Sequence, residues 1–336
     1  MNLETRFPSW EGGVSIFLVG VLTAIAVDFA VGKDFIHPEE IGDCASVYEF
    51  INKNFVCSGR EYAIEKTGYA ELRARIETHF ELLKKDGTLS EGSAYFRDLD
   101  NGPTFNVSAD AKFAAASLLK LPLAIAFYAL ETKFPGTLRK KVILMDDATS
   151  LPKQLIPPKV TIEKGKEYGI EDLIYRMIVY SDNRTAEVLR RTLKNLSPDK
   201  DLLIDELYQT GLISSENSSS DFEVTVRQYA GLFRLLFNIS YLSAEDSEKL
   251  LSLLSLSEFK GGLVKGVPEG IKVAHKFGER ENEDAVQTHD CGIVYFPQNP
   301  YLLCVMTRGN NIQNQTEAIA DVSEMVWKEV DSRKIK

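Results

Sequence analysis

Strand-like sequence stands in two places only. Residues 93–99 and 104–107 are rich in aromatic and small apolar side chains and are split by Asp100-Asn101-Gly102, a hairpin turn signal. Three more such runs, 272–277, 291–296 and 301–307, come near the C-terminus. Everything between reads as helix or loop, so the two ends of this stretch must meet in one antiparallel sheet. That order predicts an α+β domain with five strands, flanking helices and an all-α subdomain.

The helices carry apolar residues at turn spacing. Leu72, Ile76, Phe80 and Leu83 mark a helix over 70–83 that stops at Lys84-Lys85-Asp86-Gly87. Further helices are expected over 116–133, 170–179, 184–196, 227–237, 244–254 and 315–330. Pro122 falls near the start of the second, where a missing N–H does least harm. Residues 153–160 form a proline-rich loop and 261–270 a glycine-rich one. With 44% hydrophobic residues the chain can fill a substantial core.

Residues 14–31 are apolar apart from Ser15, Thr23 and Asp28, a length suited to a short membrane span or to the core of a secretion signal. Glu4 and Glu11 flank Arg6, which speaks for an uncleaved anchor; Ala24-Ile25-Ala26 offers a small-x-small cleavage pattern, which speaks for a signal. The expected organisation is a tail over 1–13, an anchor or signal over 14–32, a linker or cap over 33–69 and a catalytic domain over 70–336, outside the cytoplasm. A formal charge of −10 and the lack of a basic stripe exclude nucleic acid as a partner.

Four cysteines form two local pairs, Cys44 with Cys57 and Cys291 with Cys304, and neither has the spacing of a zinc site. The second pair brackets a hairpin whose turn is Pro297-Gln298-Asn299-Pro300. Either disulfides of an exported domain or small buried thiols fit the pattern.

Ser117-Leu118-Leu119-Lys120 sets a hydroxyl and an amine three residues apart, hence on one face of a helix start. The N–H groups and positive dipole end there favour charge developing on the hydroxyl. Such a lysine acts as a base only if burial or another cation lowers its pKa. Ser181-Asp182-Asn183 lies between two helices, and His275-Lys276-Phe277-Gly278 lies on an expected strand. Singly, each has an ordinary explanation: helix surface, an N-cap, an edge-strand lysine. Jointly, and in this order, they resemble the motif trio of the class A β-lactamases and penicillin-binding proteins.

The resemblance covers about residues 93–330 and implies a β-lactamase/transpeptidase-like fold without metal or cofactor. It implies that Ser117 is the acylated nucleophile and Lys120 its general base. Ser181 would relay a proton to the leaving nitrogen, and Asn183 would hold a substrate amide. Lys276 would attract the substrate carboxylate, with Phe277 and Gly278 beside it, and the backbone N–H groups of Ser117 and Glu279 would form the oxyanion hole. The implied reaction is opening of a β-lactam amide by a monomer. The alternatives are a D-alanyl-D-alanine peptidase or transpeptidase acting on peptidoglycan peptide, and a non-catalytic peptidoglycan-binding module. A Ser-His-Asp triad built on Ser117 and His275 lacks the G-x-S-x-G elbow, which makes His275 a strand residue packed beside the site.

Three departures stand out. Phe277 replaces the family's Thr or Ser, a lost hydrogen bond to a charged group worth about 1.5–3 kcal/mol. Cys291, before Gly292, takes the place of an arginine for which Arg280 is the available substitute. The loop over 212–224, where the family carries a water-activating glutamate, is short, and Glu216 is its candidate base although position 220 is Ser220 rather than Asn.

Overall fold

The computed structural model describes residues 48–52, 68–100, 102–145, 151, 153–213, 222–283, 285–297 and 299–333. The apolar run 14–31, Cys44, Cys57 and Glu216 lie outside them. Among the described residues no helix is long and apolar enough to cross a membrane.

The domain opens with α1 (Ala70–Lys85), whose Leu72, Ile76 and Phe80 are buried. The expected hairpin follows as β1 (Leu89–Asp98) and β2 (Thr104–Val107), with Phe96 opposite Phe105. After the short β3 (Phe113–Ala114), a 3-10 turn (Ala116–Leu119) leads into α2 (Lys120–Lys133). The helix expected from 116 thus begins as the tighter form, and Pro122 falls in the first turn of α2, where no N–H is needed. A two-stranded ribbon, β4 (Lys141–Ile143) with β5 (Glu167–Gly169), precedes α3 (Ile170–Val179) and α4 (Asn183–Leu196). Then come α5 (Leu202–Gln209), β6 (Glu223–Val224, paired with β3), α6 (Val226–Phe237), α7 (Ala244–Ser255) and the single turn α8 (Gly262–Lys265). The chain returns as β7 (Val273–Glu281), β8 (Val286–Val294) and β9 (Tyr301–Gly309) and closes with α9 (Ile312–Ser332).

The five long strands form one antiparallel sheet in the order β2-β1-β9-β8-β7. Strand alternation sorts the core. Phe96, Leu303 and Val305 pack with Phe80, Ile319, Val322 and Val326 of α1 and α9 on one face. Tyr95, Leu302, Cys304 and Met306 meet the residues of α2, α3, α6 and α7 on the other. With both faces covered, β8 is buried along its whole length. It starts five residues earlier than its apolar run suggests, because Gln287, His289 and Asp290 find internal partners. Gln287 Oε1 accepts from Ala114 N at 3.0 Å, His289 Nε2 lies 3.1 Å from Ala114 O, and Asp290 Oδ1 lies 2.8 Å from His275 Nδ1.

Cys291 and Cys304 stand directly opposite on β8 and β9 and are joined as a disulfide. Residues of the expected linker also pack here: Phe50 and Ile51 are buried, and the Glu248 carboxylate accepts from the backbone N–H of Glu49, Phe50 and Ile51 at 2.6–3.0 Å.

Candidate active site

The edge strand β7 runs beside the 3-10 turn that carries Ser117. Gly278 permits this approach: a Cβ there would lie 2.9 Å from Leu118 Cγ. The turn is fixed from three sides. Ala115 N donates to Phe222 O at 2.8 Å, Leu118 N to Ala115 O at 2.9 Å, and the buried Tyr229 hydroxyl to Leu118 O at 2.9 Å. Ala116, just before the serine, has φ of +49°, a left-handed conformation that strains a residue with a side chain.

Lys120, one turn on, is buried. Its Nζ lies within hydrogen-bond distance of Ser117 Oγ at 2.9 Å, Asn183 Oδ1 at 2.7 Å, and Ser181 O and Oγ at 2.5 and 3.1 Å. Burial lowers its pKa to about 7, against the opposing pull of Asp182 and Glu279. Lys276 arrives from β7, fully buried, and its Nζ donates to Ser181 Oγ at 2.9 Å and Phe277 O at 2.8 Å. Burial, and then the neighbouring Lys120, push this amine well below its ordinary value. Ser181 Oγ therefore stands between two amines.

Ser181 is held at φ of +54° by the hydrogen bonds to its carbonyl from Lys120 Nζ and, at 3.1 Å, from Gln154 Nε2. Asp182 is the N-cap of α4, accepting from Arg184 N at 3.1 Å and Thr185 N at 3.3 Å. Its capping role and the placement of Asn183 are thus one device: the cap fixes where the helix begins, and Asn183 is its first residue. Asn183 N donates to Gln154 Oε1 at 3.1 Å. Gln154 and Tyr229 support the site without any signal in the sequence, for one lies in a proline-rich loop and the other reads as ordinary helix core.

The structure brings Ser117, Lys120, Ser181, Asn183 and Lys276 together. Ser117, Lys120 and Asn183 open onto a cleft of about 640 Å³, also lined by Lys153, Gln154, Glu187, Arg190, Glu279 and Arg280. Ser181 and Lys276 are buried beneath it. Phe277, expected at the substrate, is instead buried in a stack on Phe259, 4.3 Å between ring centres, and is not among the residues lining the cleft. An aromatic ring at this position gains more from that stack than from solvent. Cys291, at the arginine's place, is bonded to Cys304. His275 is engaged by Asp290, whose second oxygen accepts from Leu263 N at 3.0 Å, and Ser117 Oγ is met by Lys120. Among the described residues no group of acidic, His or Cys side chains could hold a metal ion.

A five-stranded antiparallel sheet against a helical half, with a serine and two buried amines at their junction, defines an α+β serine hydrolase of the β-lactamase/transpeptidase-like fold. The Beta-lactamase enzyme family matches residues 71–330, and the chain belongs to that family. No curated protein matches it. Its fold is shared with a β-lactamase from Sphaerobacter thermophilus at 21% identity, covering 78% of this chain and 98% of that one with a TM-score of 0.66. A mutant of PBP-A, solved as its acyl-enzyme complex with penicillin-G, is 22% identical, with 80% and 100% of the two chains covered and a TM-score of 0.65. The TLA-1 extended spectrum β-lactamase is 18% identical, with 79% and 99% covered and a TM-score of 0.66.

Proposed function

We propose that the protein opens the amide of β-lactams through an ester on Ser117. One observation carries this reading: Lys120 Nζ lies 2.9 Å from Ser117 Oγ and is buried, so that near neutral pH much of it is an amine with a free lone pair. In this mechanism Lys120 takes the Ser117 proton as Oγ attacks the carbonyl carbon. The N–H groups of Ser117 and Glu279 receive the oxyanion. The C–N bond then breaks, and Ser181 passes its proton to the leaving nitrogen. A proton from Lys120, or from Lys276, restores Ser181 through the contacts at 3.1 and 2.9 Å. Asn183 holds the substrate's side-chain amide. Family membership and the PBP-A acyl-enzyme with penicillin-G support the acylation half.

A second reading is a D-alanyl-D-alanine peptidase that shares this acylation and releases the ester slowly. The short connection over 212–224 favours it, since that is where a water-activating glutamate such as Glu216 must sit. Intact-mass analysis after benzylpenicillin, run beside a nitrocefin assay, tests both: a wild-type adduct or turnover that is lost in Ser117→Ala is expected, and the absence of both overturns both. Sustained nitrocefin turnover then favours hydrolysis, and stoichiometric, slowly released labelling favours the peptidase. We also propose, from the apolar run alone, that residues 14–31 anchor the domain outside the cytoplasm. A mature chain starting near Val27 in a native host would remove the anchor.

A further inference from the structure

We propose that Glu279 determines specificity, fitting the cleft to acyl donors that are uncharged beside the scissile bond and disfavouring those with a carboxylate there. This rests on the reading of Ser117 as the acylated group. Glu279 follows Gly278 on β7 and lines the same cleft as Ser117, Lys120, Gln154 and Asn183. Its side chain joins the sheet to the helical half: Oε1 accepts from Leu155 N at 2.9 Å and Ile156 N at 3.3 Å, beside the Gln154 that holds Ser181 and Asn183. These two bonds pin the carboxyl group, which is only 8% exposed; burial raises its pKa, and the Ile156 and Leu155 N–H groups and Lys120 oppose that by favouring the charged form. Oε2 is buried without a hydrogen-bond partner.

The pinned carboxylate acts on both amines of the site. Lys120 and Lys276 each feel its charge, and Asp182 adds a second negative charge at Lys120 and Asp290 one at Lys276. The attraction that two amines offer an incoming anion is thus already answered from within the protein. An anionic ligand group directed to Lys276 must also approach Glu279, and like charges in a poorly solvated site repel strongly. Two positions that could have offset this do not. Phe277 brings a ring stacked on Phe259 in place of a hydroxyl, and Cys291 brings a disulfide in place of a guanidinium. The remaining cations of the cleft, Lys153, Arg190 and Arg280, share it with Glu187 and Glu281, and Arg190 is hydrogen-bonded to Glu187 at 2.9 and 3.0 Å.

The test compares benzylpenicillin with its methyl ester, the same lactam with and without the charge, by the rate of adduct formation on the full chain. The ester is expected to label the wild-type protein roughly tenfold faster than the acid, after correction for each probe's hydrolysis in buffer. Glu279→Gln keeps an acceptor for Leu155 and Ile156 and should shift the ratio at least about tenfold toward the acid. Adducts that form with the acid preferred in the wild-type protein overturn the inference and leave the Ser117 reading intact. So does an ester preference that Glu279→Gln leaves unchanged. Should the variant fail to fold, an acid preference in the wild-type protein still overturns the inference, and Glu279→Ala then serves for the comparison. If neither probe labels Ser117 or is consumed by either protein, the reading of Ser117 fails, and the inference fails with it.

Discussion

A side-chain carbon on Gly278 would stand 2.9 Å from Leu118 Cγ and 3.2 Å from Leu118 N, so the edge strand passes the Ser117 turn only because position 278 carries none. Gly278→Ala must move the strand, the turn or both. Overpacking of this kind costs about 1–3 kcal/mol. The larger effect falls on alignment, because Lys276 and Glu279 sit on the displaced strand. Acylation of Ser117 should slow roughly a hundredfold, as expected for reacting groups misplaced by about 1 Å. Single-turnover labelling together with a thermal melt checks this; a variant as fast as the wild type would show that the close approach does not matter.

The pH dependence follows from Lys120. Its pKa is lowered to about 7, chiefly by burial, so the base form needed for attack is lost below that pH. Acylation should fall about tenfold per pH unit below pH 7 and level off above it. Lys120→Arg, which cannot lose its proton, should abolish that limb together with most of the rate. Stability carries the same sign. Between about 7 and the ordinary value of 10.5 the unfolded chain holds the proton that the folded chain has released. The Lys120 term therefore favours folding progressively more as pH rises through this window. Lys276, also held well below its ordinary value, adds a slope of the same sign, so Lys120→Met should lessen the rise in this window without removing it, measured by urea unfolding at several pH values.

How far the sequence foretold this site depends on whether each residue's partner lies near it in the chain. Ser117 and Lys120 are legible because one helical turn joins them, and helix 170–179 is legible because its apolar period is local. The start of β8 is not. Gln287, His289 and Asp290 look like loop until Ala114 and His275 arrive to satisfy them. The short α5 is absent from the expected helices although Asp201 caps it, accepting from Leu203 and Ile204 N–H, a signal that is present and local. At Glu279 the family resemblance points to the backbone N–H alone. The reach of its side chain to Leu155 and Ile156 depends on how two distant segments pack.

His275 and Asp290 give a test that separates support from catalysis. Both are buried, and Asp290 serves His275 Nδ1 and Leu263 N at once. Asp290→Ala leaves two buried donors without an acceptor and should cost at least ~2 kcal/mol, read by urea denaturation. His275→Gln should retain the Ser117 adduct, because Lys120 rather than the imidazole meets the hydroxyl. Loss of about a thousandfold or more in labelling, in a variant that still folds, would instead revive a Ser-His-Asp arrangement.

Ala116 places a conformational demand immediately before the nucleophile. At φ of +49° a Cβ crowds the following carbonyl, which costs an L-residue roughly 1–2 kcal/mol. The cost is met because Phe222 O, Ala115 O and the Tyr229 hydroxyl hold the backbone on either side. Glycine removes the crowding but adds freedom to the unfolded chain worth about 0.4–1 kcal/mol, so Ala116→Gly should change stability little. Valine adds a β-branch where even alanine is strained, and Ala116→Val should lose about 2 kcal/mol or more. The two variants should diverge in labelling as well. Glycine leaves the turn able to form, so its acylation should stay within about tenfold of the wild type, whereas valine should rotate Ser117 away from Lys120 and slow the step much further. Melting temperatures and labelling rates measured side by side decide it. Equal stability for the glycine and valine variants would mean that the turn relaxes out of the left-handed conformation in solution.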